Sequence, residues 1–314
     1  MPLTLPGPAA PLRIGTRGSP LALWQALEVR RCLMAAHDLT ETAFAVVVIK
    51  VTGDQILDRA LKDIGGKGLF TREIEEALLA GDIDIAVHSM KDMPTHQPAG
   101  LMIDCYLARE DVRDAFVSPG VAGLDLLPQG AVVGTSSLRR RAQLAHRRPD
   151  LRLVEFRGNV QTRMQKLADG VAAATFLAMA GLNRLGLAHV ARAAIDPEAM
   201  LPAVAQGAIG IERRAADDRV AGLLEAVHHR PTGLRLTAER AFLARLDGSC
   251  ETPIAGLAVL EGDQVWLRGE VLRPDGSEVI AGEARGPVAD GAAIGQALAD
   301  RLLAQTPAGF FSWR

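Results

Sequence analysis

The amino-acid sequence predicts an α/β protein with two sheet-and-helix units followed by a smaller α+β unit. Short apolar runs alternate with helical patterns up to about residue 212, as in domains built on mostly parallel sheets. After about residue 230 the order changes to one helix, three β-like runs and a closing helix. The 314 residues are enough for two or three domains.

Short apolar runs are the candidate strands of the two α/β units. They lie at 12–16, 44–51, 83–88, 102–107, 115–118, 131–135, 151–156, 173–178 and 208–212. The first helix is well marked, because Ser19 can cap it, Pro20 suits its first turn and apolar residues follow at helical spacing. The last unit is predicted as helix 234–246, strands 254–260, 264–272 and 278–285, and helix 289–303.

Composition argues against several classes of protein. Hydrophobic residues make up 48% of the chain and charged residues 23%, which disfavours disorder. No apolar run reaches the roughly 18 residues of a membrane span, and residues 1–11 lack a signal-peptide pattern, so we expect a cytoplasmic protein. Three widely spaced cysteines and seven histidines without HxxxH or HExxH pairs predict neither disulfides nor a metal site.

Two loops share a layout that favours anion binding. Each follows a predicted strand, carries small hydroxyl residues and leads into a helix: 15–19 in the first unit and 134–140 in the second. A helix N-terminus presents free N–H groups and the positive end of the helix dipole. Matched loops of this kind predict a ligand cleft between two similar domains.

Arginines gather at the predicted strand ends and in the helices that follow. They are Arg17, Arg139, Arg140, Arg141, Arg157, Arg163 and Arg184. Ligands of open α/β sheets lie at the carboxyl ends of strands, and guanidinium groups bind carboxylates bidentately. The pattern indicates a ligand with several carboxylates or phosphates, although solvated surface charge is the alternative for any single arginine. The net charge of −2 and the absence of aromatic residues from 139–148 argue against nucleic acid.

Three further segments could carry chemistry. Asp92 follows a buried-looking strand, where it could accept a ligand N–H and stabilise a cation, or form an Asx turn before Pro94. Lys62 and Lys67 lie among glycines that lack the GxxxxGK spacing, which suits a mobile lid or an ordinary surface loop. Cys250 lies in a turn, either as a covalent attachment point or as a small buried hydrophobe.

In their order along the chain, these motifs resemble the porphobilinogen deaminase family. The matching segments are 15–22, 65–70, 86–94, 134–140, 156–159, 180–186, 206–207 and the Cys250 turn. The resemblance implies an α/β fold with two lobes similar to type 2 periplasmic binding proteins and a smaller α+β C-terminal domain that carries the cofactor cysteine. The implied domains are 11–108 plus 207–229, 109–206, and 230–314.

The resemblance also implies a transferase of tetrapyrrole and heme-type biosynthesis. Such an enzyme adds four porphobilinogen molecules head to tail to a dipyrromethane cofactor, with loss of ammonia, before water releases linear hydroxymethylbilane. The family's thioether attachment falls on Cys250, its catalytic aspartate on Asp92, and its mobile loop on Lys62 and Lys67. By similarity, the cofactor and substrate are bound by Arg17, Ser19, Ser89, Lys91, Thr135, Ser137, Arg139, Arg140, Arg157, Gly158, Asn159, Arg163, Arg184 and Gln206. We expect a monomer without metal, nucleic-acid or membrane partners.

Two local features depart from many members of that family. Ser249 and Glu251 flank Cys250 where Gly and Gln are common, and Ala205 precedes Gln206 where Gly is common. The competing hypothesis is a cytoplasmic solute-binding protein whose two lobes close on a polycarboxylate or oxyanion. That hypothesis explains the paired loops and the arginines, but it gives no role to Cys250 or to the third domain.

Overall fold

Three sheets organise the computed structural model, which describes residues 3–52, 71–249 and 252–311. The strands are β1 (Leu12–Thr16), β2 (Phe44–Val48), β3 (Ile85–Ser89), β4 (Leu101–Tyr106), β5 (Asp114–Val117), β6 (Val132–Gly134), β7 (Arg152–Val154), β8 (Ala174–Ala178), β9 (Ala193–Ala194), β10 (Ile209–Arg214), β11 (Ile254–Glu261), β12 (Gln264–Leu272) and β13 (Val279–Pro287). The helices are α1 (Pro20–His37), α2 (Arg72–Ala80), α3 (Leu138–Arg147), α4 (Val160–Ala168), α5 (Met179–Arg184), α6 (Asp218–Glu225), α7 (Arg230–Arg245) and α8 (Gly291–Leu303). No helix within the described ranges is long and apolar enough to span a membrane.

The first compact unit consists of the described residues up to 110 together with 208–233. Its sheet has the order β2-β1-β3-β10-β4, in which β1 is parallel to both neighbours and β10 is antiparallel to β3 and β4. One core contains Ile14 and Ile85 of the sheet and Val29 of α1. A second core contains Ala86 of the sheet and Leu78 of α2. Both faces of the sheet are therefore covered.

The second unit consists of the described residues at 111–207 and from 234 onward. Its five-stranded sheet has the order β7-β6-β8-β5-β9, with β6 parallel to both neighbours and β5 antiparallel to β8 and β9. This order matches that of the first unit strand for strand. The antiparallel strand is the last of its sheet along the chain in the first unit and the first in the second.

The C-terminal part of the second unit is a small α+β domain. Its antiparallel sheet has the order β11-β12-β13. Phe242 of α7 packs so closely on this sheet that a Cβ at Gly269 would lie 2.4 Å from its ring. The predicted fold class, two matched α/β lobes and a smaller α+β C-terminal domain, is confirmed.

Several element ends differ from the predictions for identifiable reasons. The predicted strand 44–51 ends at Val48, because its neighbour β1 ends at the paired residue Thr16. Helix α7 begins at Arg230 rather than residue 234, with Pro231 in its first turn, where a proline loses no hydrogen bond. Strand β9 has two residues, which is too short for any hydrophobic period.

Candidate functional site

The loop after β1 holds the predicted site residues Arg17 and Ser19. Ser19 Oγ accepts a hydrogen bond from Ala22 N at 3.3 Å and caps α1. Thr16 Oγ1 donates to Ala22 O at 3.0 Å, which ties the loop to the first turn of the helix. Arg17 is half-buried in this loop, immediately before the helix N-terminus. The first of the two predicted anion-binding loops therefore has the expected geometry.

The end of β3 holds Ser89, Lys91 and Asp92. Ser89 Oγ accepts a hydrogen bond from Gln25 Nε2 at 2.7 Å, and Met90–Asp92 form a single 3₁₀ turn. Lys91 and Asp92 are half-buried. The Asp92 carboxylate makes no hydrogen bond or ion pair with the residues that the structure describes, so the alternative Asx turn is not formed. This carboxylate can accept N–H groups from a ligand.

Behind that loop lies a buried acid and histidine cluster that the sequence did not reveal. His88 Nε2 lies 3.0 Å from Glu212 Oε2, and both side chains are buried. Burial raises the pKa of Glu75 on α2, and the charge of Glu212 adds to the increase. Glu212 comes from β10, and only the antiparallel pairing of β10 with β3 brings it to His88.

The loop after β6 holds Thr135 and Ser137. Ser137 Oγ accepts from Arg140 N at 3.5 Å and caps α3, and Thr135 Oγ1 accepts from Ser137 N at 3.3 Å. In each unit, the helix that follows this loop thus begins at a serine cap with an arginine close by. This is the second predicted anion-binding loop.

Arg139 and Arg140 share one buried carboxylate, that of Asp114. The Nη2 atoms of Arg139 and Arg140 lie 2.8 Å and 2.7 Å from its two oxygens, and the three side chains are at most 7% exposed. Burial opposes ionisation of Asp114, but the two guanidinium groups hold its pKa well below the usual range. The sequence offered one signal for this residue, a charged side chain at the start of the apolar run 115–118.

Arg157, Gly158, Asn159 and Arg163 lie around the start of α4. Asn159 Oδ1 accepts from Thr162 N at 2.9 Å and caps the helix, while Gly158 O accepts from Arg163 Nε at 2.9 Å. Gly158 has φ of +119°, and a Cβ there would lie 2.6 Å from Thr162 Cγ2, so no larger residue fits. This turn directs Arg163 back to the loop that precedes its own helix.

The charges around Arg163 indicate an anion site. Burial, and after it the neighbouring charges of Arg140 and Arg157, together lower the pKa of Arg163 to about 10. Arg140 is paired with Asp114, but an anionic ligand beside Arg163 would reduce the repulsion among these guanidinium groups. A cofactor or substrate with several carboxylates fits this part of the second unit.

Arg184 and Gln206 meet at the turn 203–207. Arg184 Nη2 donates to Gly207 O at 2.7 Å. Gln206 Nε2 donates to Asp114 Oδ1 at 2.9 Å and to Val112 O at 2.7 Å. The structure therefore brings Gln206 into the same buried network as Asp114 and the two arginines of α3.

Three of the predicted site residues, Cys250, Lys62 and Lys67, lie outside the described residues. Among the described residues, no group of three His, Cys, Asp or Glu side chains could hold a metal ion. The residues of each unit fit the pyrrole cofactor that the family resemblance implies. The arginines of the second unit match its carboxylates, and the Asp92 carboxylate of the first unit matches a pyrrole N–H.

Two family models match the chain. The porphobilinogen deaminase dipyrromethane cofactor binding domain matches residues 12–222, and the porphobilinogen deaminase C-terminal domain matches residues 234–304. A curated relative, porphobilinogen deaminase of Paracoccus denitrificans (strain Pd 1222), is 72% identical over 309 residues, which cover 98% of this chain and 99% of the relative.

Solved structures give only distant likenesses. A nutrient binding protein from Burkholderia cenocepacia bound to methionine is 14% identical, covers 74% of this chain and 95% of its own, and has a TM-score of 0.41. A putative methionine-binding lipoprotein from Bacillus subtilis is 12% identical. The match covers 70% of this chain and 91% of the lipoprotein, and its TM-score is also 0.41. Such likenesses carry no functional information. The two family models and the high identity over nearly the whole length show that the chain belongs to the porphobilinogen deaminase family.

Proposed function

We propose that the chain is a hydroxymethylbilane synthase, acting as a cytoplasmic monomer. It condenses four porphobilinogen molecules head to tail on a dipyrromethane cofactor attached to Cys250, and releases linear hydroxymethylbilane. The observation that carries this proposal is the 72% identity to a porphobilinogen deaminase over 98% of the chain. The arrangement of charged groups in each unit supports it independently.

The arginines bind the acetate and propionate groups of the pyrrole rings. A chain of six rings carries about a dozen carboxylates, and unpaired carboxylates in a buried site would be prohibitively costly. The pKa of Arg163 is lowered to about 10 by burial, Arg140 and Arg157, and a ligand carboxylate beside Arg163 would offset that repulsion. Arg17, Lys91, Arg139 and Arg184 take the same role at their own loops.

Asp92 is the catalytic residue. When bound, the cofactor supplies the pyrrole carbon at which the new bond forms. The Asp92 carboxylate accepts pyrrole N–H groups and stabilises the positive charge that develops on the substrate as ammonia leaves. Hydrogen bonds at Ser89 and from Met90 N to Ala208 O, 3.0 Å long, fix the turn that carries it.

The polar loop residues have a supporting role. Ser19, Ser137 and Asn159 cap helices, and each accepts one N–H group of a first turn. Other N–H groups at those helix starts can face carboxylates. Ser89, Thr135, Gly158 and Gln206 complete the binding loops, and Lys62 and Lys67 take the active-site role that the family resemblance implies. We assign three domains, at 11–108 plus 207–229, at 109–206 and at 230–314, and the last carries the cofactor cysteine.

Intact mass of the denatured protein tests the proposal. The wild-type chain should carry an adduct equal to two condensed porphobilinogen units, and Cys250→Ser should carry none. Cys105→Ser is a matched control, because that thiol is buried in the first unit and should leave the adduct in place. A wild-type chain that stays bare after incubation with porphobilinogen would contradict the proposed function.

A further inference from the structure

The turn 203–207 connects several residues of the second unit's site. Gln206 Nε2 donates to Asp114 Oδ1 at 2.9 Å, and Gly207 O accepts from Arg184 Nη2 at 2.7 Å. Asp114 in turn pairs with both arginines of α3. The backbone of this turn therefore determines where the Gln206 amide and the Arg184 guanidinium group lie.

Ala205, inside this turn, has a backbone conformation that residues with a Cβ seldom adopt. Its φ is +60°, in the left-handed region, and the residue is only 1% exposed. Because the Cβ crowds the backbone in this region, an alanine prefers to leave it unless another interaction holds it there.

Glu239 of α7 supplies such an interaction. Its side chain is fully buried, Oε2 accepts a hydrogen bond from Ala205 N at 2.7 Å, and Oε1 accepts one from Ala258 N at 2.8 Å. Hydrogen bonds from N–H groups to a carboxylate are among the strong ones in proteins. Since Ala258 belongs to β11, one side chain ties the turn to both elements that flank Cys250 in the sequence.

We propose that Glu239 is a positioning residue that holds the turn 203–207, and through it Gln206 and Arg184, in the geometry that binds pyrrole carboxylates. The inference rests on the proposed function for the identity of the ligand. Glu239 acts through the backbone of Ala205 and does not itself contact the ligand.

A double-mutant cycle tests this role with the full chain, using Glu239→Gln, Ala205→Gly and the combined variant. In Glu239→Gln the side chain keeps one oxygen and gains an NH₂, so the hydrogen bond from Ala205 N is either lost or made to a neutral acceptor. Its loss corresponds to roughly a tenfold change in an equilibrium constant. Measured well below the unfolding temperature, KM for porphobilinogen should rise about tenfold and kcat should change less. Cofactor occupancy by intact mass should fall in parallel.

The combined variant should recover most of the loss, because glycine adopts a positive φ without the hydrogen bond. Glu261→Gln, an exposed change on β11, is the matched control and should leave KM and occupancy unchanged. The proposal would be overturned if Glu239→Gln lost thermal stability with KM unchanged. It would also be overturned if KM rose as much in the combined variant as in Glu239→Gln. If Glu239→Gln does not fold, Glu239→Asp, which keeps the charge but has a shorter reach, takes its place in the cycle.

Failure of the proposed function is distinguishable from failure of this inference. A wild-type chain without adduct or turnover contradicts the proposed function. The same cycle measured by chemical unfolding still decides whether Glu239 and Ala205 are coupled, and additive effects there would overturn the positioning role by themselves.

Discussion

At the scale of single residues, Asp92 combines a half-buried carboxylate with the absence of any hydrogen bond or ion pair to the described residues. No contact among the described residues therefore depends on its charge. We expect Asp92→Asn to lower kcat by about 10²–10³-fold, because a carboxylate aimed at developing charge acts mainly in the transition state. The melting temperature should stay unchanged. Steady-state kinetics and calorimetry check both, with Asp125→Asn, an exposed change, as the control.

Arg163 should lower the stability of the folded protein while it strengthens ligand binding. Its pKa of about 10, lowered by burial and by two like charges, means that holding it charged destabilises the folded protein at every pH below about 10. Because the group is partly solvated, Arg163→Gln should stabilise cofactor-free protein by only about 1 kcal/mol. The same change should raise KM for porphobilinogen. A drop in stability measured by urea unfolding would contradict this reading.

Asp114 should make stability depend on pH in the acid range. Its folded-state pKa is lowered by Arg139 and Arg140 despite burial, so its contribution is complete above its unfolded pKa near 4 and is lost as pH falls further. Asp114→Asn leaves two buried arginines without their partner, at a cost of about 3–5 kcal/mol near neutral pH. The difference from wild type, measured by urea unfolding, should stay constant from about pH 8 to 5 and shrink below about pH 4. A constant difference down to pH 2 would contradict the assignment.

At the scale of elements, the hairpin between β12 and β13 packs against α3, the helix that carries Arg139 and Arg140. His146 Nδ1 lies 3.0 Å from Gly276 O, and a Cβ at Gly276 would lie 2.5 Å from His146 N. The turn at 273–276, between β12 and β13, therefore also serves as a packing surface. It links the small sheet to the helix that bears two of the proposed ligand-binding residues.

We expect Gly276→Ala to destabilise the protein by about 2–4 kcal/mol, from its positive φ and from the close backbone contact. Gly262→Ala provides the comparison, because Gly262 also has a positive φ, +65°, but nothing lies within 4 Å of a Cβ there. Thermal unfolding of both variants separates the two effects. Equal losses would mean that the contact with α3 contributes nothing.

At the scale of the whole molecule, the second α/β lobe and the C-terminal domain form one compact unit. Leu201 packs with Ala255 and Leu257 of β11, and Gln143 of α3 donates a hydrogen bond to Glu270 of β12. Contacts of this density predict that the two sheets open together rather than separately.

Leu257→Ala tests that coupling, because it removes a side chain that is 4% exposed from the shared core. A loss of about 2–5 kcal/mol is expected for such a substitution. In native-state hydrogen exchange, the amides of β8 and β12 should lose the same protection. Loss confined to β12 would show that the C-terminal sheet unfolds independently.

The sequence by itself determined the local features of this protein. Hydrophobic periods located most strands, Ser19 and Pro20 marked α1, and strand-end arginines with serine-capped loops indicated an anion site. These features depend on residues within a few positions of one another, so a linear pattern contains them. The collinear motifs added the family, which the comparisons confirmed.

Only the tertiary structure decided which buried charged side chains pair with one another and which side chain holds a strained turn. Sheet order places β10 next to β3 and brings Glu212 to His88, although 124 residues separate them. In the same way Glu239 reaches Ala205 across 34 residues of chain. Hydrophobic periodicity reports which face of an element is buried, not which element it meets. Buried charges are paired through contacts between elements that lie far apart in the chain. For that reason the pairing cannot be read from the sequence.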